Sequence, residues 1–179
     1  MIAILLADGF EEIEALTPLD ILRRAGLNVK TVGVGGKVAI GSHKIPVIAD
    51  MTEDEVNLDE VSMVILPGGM PGSINLDASP FTDKIIEAVN KKGGRIAAIC
   101  AAPLCLGRRG LLRGKRATCY PGFEKELVGA ITLTDGVVTD GNITTAKGMG
   151  VALAFAKEIV SLLLGNECAE EIARSIMEE

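Results

Sequence analysis

The chain is 179 residues long, 48% hydrophobic and 23% charged, with a formal charge of −6. That length and apolar content supply the core of one globular domain without disulfides or a structural metal. The net acidity and the aromatic count (no Trp, one Tyr, four Phe) argue against a nucleic-acid backbone partner and against stacking platforms for single strands.

Ile2–Leu6 is a continuous apolar run, the pattern of a strand buried on both faces. It lacks a basic flank and runs into acidic residues, so it reads as a first strand and not as a secretory signal. Ile13, Leu16, Leu19 and Leu22 recur at helical spacing, and Ala25-Gly26 closes that helix. Val29–Val34 predicts a second strand, and Val38–Ile40 with Ile45–Ile48 a small hairpin. The acidic stretch 52–60 reads as a weak helix or loop. Val61–Leu66 predicts a third buried strand, closed by Pro67-Gly68-Gly69. An amphipathic helix over Phe81–Asn90 leads into a further buried strand, Arg95–Ile99. After Cys100, a small-residue helix is predicted from Ala101 to about Gly107. Residues 116–145 predict short strands, with turns at Asp135-Gly136 and Asp140-Gly141. Gly148–Leu164 and Glu167–Met177 predict the last two helices.

Strand–helix alternation of this kind gives a mainly parallel α/β sheet with helices on both faces. One domain over residues 1–179 is the reading. The uncharged stretch Ile96–Gly107 is too short to span a bilayer, so no membrane association is expected. The four cysteines, Cys100, Cys105, Cys119 and Cys168, form no CxxC pair, and the single histidine, His43, is distant in sequence. No metal or cofactor is expected, and the thiols are read as free in a reducing cytoplasm.

In parallel α/β sheets, ligands gather beyond the carboxyl ends of the strands. Asp8-Gly9, Pro67-Gly68-Gly69 and Cys100 all fall at such ends. In Ile96-Ala97-Ala98-Ile99-Cys100-Ala101-Ala102-Pro103, a buried strand ends in Cys and small residues open a helix. This is a nucleophile-elbow pattern with Cys in the role of Ser. The helix N-terminus predicts a stabilised thiolate with a lowered pKa, and its backbone N–H groups suit an oxyanion. The alternative is that Cys100 is a small buried hydrophobe, and the local pattern leaves both readings open. Cys105 and Cys168 read as core, and Cys119 as a secondary candidate near the same strand ends.

A thiol nucleophile needs a proton partner. His43 sits in the hairpin and reads as a solvated loop or pocket-rim residue. Glu11 and Glu12 suit the first turn of a helix. Glu14 lies within the apolar-periodic region, where burial raises a carboxyl pKa and keeps the proton available to a thiolate.

These residues together resemble the ThiJ/PfpI family, Cys-elbow relatives of the class I glutamine amidotransferases, and most of all its branch of the parkinsonism-associated stress protein and bacterial relatives. The resemblance covers nearly the whole chain. It rests on Asp8-Gly9-Phe10-Glu11-Glu12-Ile13-Glu14, Val64-Ile65-Leu66-Pro67-Gly68-Gly69, the Cys100 segment, and Thr144-Thr145-Ala146-Lys147-Gly148-Met149-Gly150. It implies a flavodoxin-like three-layer sandwich and a homodimer. Cys100 would be the reactive, oxidation-prone cysteine and Glu14 the protonated glutamate bonded to it. Gly68, Gly69 and Ala101 would surround the oxyanion pocket. His43 and Lys147 match a basic pair at an anion site, with Tyr120 and Cys119 at the rim.

The chain also departs from family patterns. It has Ala101 where the protease-like branch has His, no His after His43 where amidotransferases have one, and Tyr120 where a His often precedes the proline matching Pro121. The resemblance implies glutathione-independent glyoxalase or deglycase chemistry on methylglyoxal and related small dicarbonyls. The alternative is a redox sensor or chaperone working through oxidation of Cys100 to sulfinic acid. A thiazole-phosphate role in thiamine synthesis lacks a phosphate loop, because Gly33-Val34-Gly35-Gly36 leads into a hairpin and not a helix. An intracellular protease lacks its histidine.

Overall fold

The computed structural model describes residues 1–178. The apolar run Ile2–Leu6 forms β1, with every side chain buried. It leads into α1 (Glu12–Arg24), β2 (Val29–Gly33), and a hairpin of β3 (Val38–Ile40) and β4 (Pro46–Ile48). A two-residue edge strand, β5 (Met51–Thr52), precedes two 3-10 turns, Glu53–Glu55 and Leu58–Glu60, in the acidic stretch. Then come β6 (Met63–Leu66), α2 (Gly72–Ala78), α3 (Pro80–Lys91), β7 (Arg95–Ile99) and α4 (Pro103–Arg108). The remainder holds β8 (Arg116–Ala117), β9 (Ile131–Thr132), β10 (Val137–Asp140), β11 (Ile143–Ala146), α5 (Ala152–Leu164) and α6 (Asn166–Ser175).

Seven strands form one sheet in the order β10-β11-β7-β6-β1-β2-β5. Every neighbouring pair is parallel except the β10–β11 hairpin turned at Asp140-Gly141. The register runs across the centre as Thr31, Ile4, Ile65, Ala97 and Thr144. Strand side chains alternate between two apolar layers. Ala3, Leu5, Val64, Leu66, Ile96 and Ala98 pack with residues of α2, α3 and α4. Ile2, Ile4, Leu6, Met63, Ile65, Ala97 and Ile99 pack with α1, α5 and α6. The period of two in each strand therefore feeds two cores at once, giving a flavodoxin-like three-layer sandwich.

Several expected boundaries shift for local reasons. α2 lies outside the expected elements, because it is short and starts at Gly72 behind Pro71 with no side-chain cap. α3 begins at Pro80 because the Ser79 hydroxyl accepts the Phe81 N–H. The helix after Cys100 starts at Pro103, since Ala101 and Ala102 are spent in the turn. The predicted helix from Gly148 is an extended glycine, one 3-10 turn (Met149–Val151) and then α5. Asp135-Gly136 leads into β10 and closes no hairpin; β8 and β9 pair in parallel instead.

Candidate active site

The ends of β1, β6 and β7 lie side by side in the sheet, and the site is built there. Beyond β1, Asp8 has a structural task. Its Oδ1 accepts the Ile40 N–H at 2.8 Å, and its backbone carbonyl accepts Asn75 Nδ2 at 2.8 Å, tying the hairpin and α2 to the strand end. The Glu11 N–H donates to the Gly68 carbonyl at 2.8 Å, which sets α1 against the β6 turn. This attachment brings Glu14, in the first turn of α1, beneath that turn with only 1% of its surface exposed.

Cys100 directly follows β7 with φ 65°, a left-handed conformation rare and costly for a residue with a Cβ. Two backbone bonds hold it. Its N–H donates to Ala146 O at 2.9 Å, and its carbonyl accepts the Tyr120 N–H at 2.8 Å. The residue is partly exposed, whereas Cys105 and Cys119 are buried. Glycine is obligatory on the opposite wall. A Cβ on Gly68 would lie 2.5 Å from both Cys100 Cβ and Glu14 Oε2. Gly69, at φ +88°, passes so close to α1 that a Cβ would lie 2.3 Å from Glu11 N.

Glu14 Oε2 accepts the Gly68 N–H at 2.9 Å, while the buried Oε1 has no hydrogen-bond partner. Burial pushes the Glu14 carboxyl up to about 7, against the opposing pull of the Cys100 thiol and the Gly68 amide. Burial, and then the neighbouring Glu14 charge, push the Cys100 thiol up to about 12, while the amides of Gly69 and Ala101 pull it down. The expected lowering of the thiol pKa is therefore not what the structure gives. α4 starts three residues on, and desolvation outweighs the two amides. Both shifts run the same way, so the pair holds its protons to higher pH than a free carboxyl or thiol would. Gly68, expected among the oxyanion donors, has its N–H committed to Glu14. The amides of Gly69 and Ala101 are the ones facing the sulfur.

His43 lies apart from this pair. Its Nδ1 is 3.0 Å from Glu12 Oε2 and 3.6 Å from Glu11 Oε2, and its amide donates to Glu12 Oε1 at 2.8 Å. Although burial opposes it, these bonds hold the Glu12 carboxyl at about 2. No hydrogen bond links His43 to Cys100 among the described residues, so it brings no base to the thiol. Cys119 packs into the apolar layer with α4, and burial pushes its thiol up to about 11. Tyr120 and Lys147 do line a groove of about 370 Å³, together with Pro121, Gly148, Met149, Gly150 and Val151. Gly148 and Met149 escaped the reading of individual residues. Their signal was the quoted run from Thr144 to Gly150, whose Ala146 carbonyl also anchors Cys100.

Comparison with known proteins agrees with this architecture. Residues 1–162 match the model of the DJ-1/PfpI family. Protein dj-1beta of Drosophila melanogaster is 37% identical over 177 residues, covering 97% of this chain and 95% of that protein. A protein of Pyrococcus abyssi named a deglycase is 34% identical over 168 residues, covering 90% of this chain and 98% of that one. A crystal structure of a DJ-1 superfamily protein from Salmonella typhimurium superposes with a TM-score of 0.94 at 36% identity, covering 99% of this chain and 98% of that one. With fold, motif order and full-length similarity in agreement, the chain belongs to the DJ-1/PfpI family.

Proposed function

We propose that the protein converts methylglyoxal and related dicarbonyls to hydroxy acids through Cys100, without glutathione, in glyoxalase or deglycase fashion. The observation that carries this reading is the strained Cys100 elbow beside a buried carboxyl with one unpartnered oxygen. In the first step, Cys100 Sγ bonds to the aldehyde carbon and its proton passes to the Glu14 carboxylate. The carbonyl oxygen takes the electron pair, facing the amides of Gly69 and Ala101, and receives the proton back from Glu14, giving a hemithioacetal and a free Glu14 carboxylate. Glu14 then moves the proton from the former aldehyde carbon to the neighbouring carbon through an enediol, which leaves a thioester. Water cleaves the thioester, releasing lactate and restoring the thiol. The sum is methylglyoxal plus water to lactate plus a proton, with no external oxidant.

The Pyrococcus relative named a deglycase supports this class of chemistry. Partial alkylation with iodoacetamide tests it. Lost methylglyoxal turnover should track the fraction of protein carrying one adduct on Cys100. Full turnover from fully alkylated protein would refute it.

A second reading, redox sensing, rests on the same pair. Cys100 is partly exposed while Cys105 is buried, and a protonated Glu14 is suited to donate to a sulfinate. Mild peroxide should place two oxygens on Cys100 first. Earlier uptake by Cys105 or Cys168 would sink this reading. The homodimer belongs to the proposal as well. Ile13, Ile45 and Ile48 expose 47%, 50% and 75% of their surfaces around α1 and the hairpin, an apolar face that a second copy would cover.

A further inference from the structure

Cys100 keeps its left-handed φ inside a closed ring of hydrogen bonds. Its N–H donates to Ala146 O at 2.9 Å, and its carbonyl accepts the Tyr120 N–H at 2.8 Å. The ring closes between those two partner segments, where the Thr118 N–H donates to Thr145 Oγ1 at 2.9 Å. Thr145 precedes Ala146 on β11, and Thr118 stands two residues before Tyr120. Two of the three bonds run from backbone to backbone. The third depends on the Thr145 hydroxyl, the ring's one side-chain member.

The residue type at 145 therefore decides whether the ring closes. At the same level of the sheet, β7 and β6 carry the apolar Ala98 and Leu66. A threonine there, only 1% exposed, costs stability unless its hydroxyl is bonded. The Thr118 amide supplies that bond, with a longer contact to Val138 O at 3.5 Å. The need is mutual. From Thr118 to Tyr120 the chain belongs to no strand, so its amides have no ladder to join. Without Oγ1, the buried Thr118 N–H loses its acceptor, and a buried unpaired donor drives the segment to move. The Tyr120 amide moves with it, and the Cys100 carbonyl loses its hold. Strained backbone persists only where its surroundings over-determine it.

We propose that Thr145 is a positioning residue for Cys100. Its hydroxyl holds the segment from Thr118 to Tyr120, that segment holds the Cys100 carbonyl, and the turn so fixed keeps the sulfur beside Glu14 and facing the amides of Gly69 and Ala101. The inference rests on the reading of Cys100 as nucleophile and Glu14 as its proton acceptor, and deepens it by a residue that touches no reacting atom.

Alkylation of the reduced full-length protein with iodoacetamide, followed by mass spectrometry, tests this without turnover. The Cys100 sulfur bonds to the reagent's methylene carbon, iodide leaves, and the thiol proton passes to the Glu14 carboxylate. Cys168, partly exposed on α6, is alkylated in the same molecule and serves as the internal standard, while buried Cys105 reports general loosening. Thr145→Val keeps the branched shape and loses the acceptor. Its Cys100-to-Cys168 rate ratio at about pH 8 should fall about tenfold, within the penalty of about a hundredfold that a misplacement of about 1 Å imposes. Thr145→Ser restores the hydroxyl and should keep the parent ratio. Thr145→Ala removes the same acceptor and serves if Thr145→Val does not fold.

Two further readouts separate positioning from mere stability. The Glu14 carboxyl titrates at about 7, so alkylation of Cys100 in the parent should step up there, and the step should vanish in Thr145→Val as sulfur and carboxylate part. Tyr120 is the chain's one tyrosine and there is no tryptophan, so tyrosine fluorescence reports the held segment alone, and its anisotropy should fall in Thr145→Val. A ratio unmoved in the folded variant, a Thr145→Ser protein that behaves like Thr145→Val, or Cys105 labelling that rises with the change would overturn the assignment. A ratio that falls in Thr145→Val with no step at about 7 in any of the proteins keeps the positioning role and removes Glu14 from the proposed chemistry.

Discussion

Replacing Glu14 by glutamine should stabilise the protein, and the gain should depend on pH. The carboxyl sits at about 7 in the fold against 4.5 for an ordinary glutamate, chiefly because it is buried. Between those values the unfolded chain has released the proton and the folded chain still holds it. The folded state binds more protons there, so this group's contribution to stability falls as pH rises. At about 1.4 kcal/mol per pH unit, the full loss is about 3 kcal/mol once pH passes 7. Glutamine retains a carbonyl for the Gly68 N–H and cannot ionise. The stability difference between the Glu14→Gln variant and its parent should therefore be near zero at about pH 4 and grow to about 3 kcal/mol at about pH 8. Urea unfolding of the freshly reduced protein and of its Glu14→Gln variant, at fixed protein concentration and with oxygen excluded, measures it. A difference that stays flat across that range would refute the claim that burial lifts this carboxyl.

Other perturbations follow from the same geometry. Gly68→Ala drives a methyl into Cys100 Cβ and Glu14 Oε2, both 2.5 Å away, and should cost about 1–3 kcal/mol in urea unfolding together with the reactivity of the thiol. His43→Ala removes one of the bonds that hold the Glu12 carboxyl at about 2. A lowered carboxyl stabilises above its unfolded value of 4.5 and loses that contribution as pH falls, so the variant should unfold at a higher pH on acid titration and match the parent at about pH 2 and below. Ile48→Lys places charge on the most exposed apolar residue of the hairpin face and should shift sedimentation from dimer to monomer; an unchanged dimer would place the interface elsewhere.

The central strands were legible because strands buried on both faces read as unbroken apolar runs. Ile2–Leu6 and Arg95–Ile99 match to the residue. Short elements were harder. α2 carries neither a cap nor a long apolar stripe, and β5 is set by pairing with β2 and not by its own composition. The elbow pattern leaves Cys100 open between a nucleophile and a buried hydrophobe, and it is the family resemblance that pairs it with Glu14; the structure sets the two on either side of Gly68. Their energetics were not legible in the sequence. The direction of the thiol's shift follows first from its own burial and then from the Glu14 charge beside it, and both are tertiary facts.

The proposed chemistry requires Cys100 and Glu14 to act together as nucleophile and proton carrier. The deciding assay is lactate formed from methylglyoxal by freshly reduced protein with no added thiol, compared among wild type, Cys100→Ser and Glu14→Gln. Lactate is expected from the wild type and should be lost in both variants, with the fold retained by circular dichroism. Lactate from either folded variant at the wild-type rate, or none from the reduced wild type, would show that the pair does not carry this reaction.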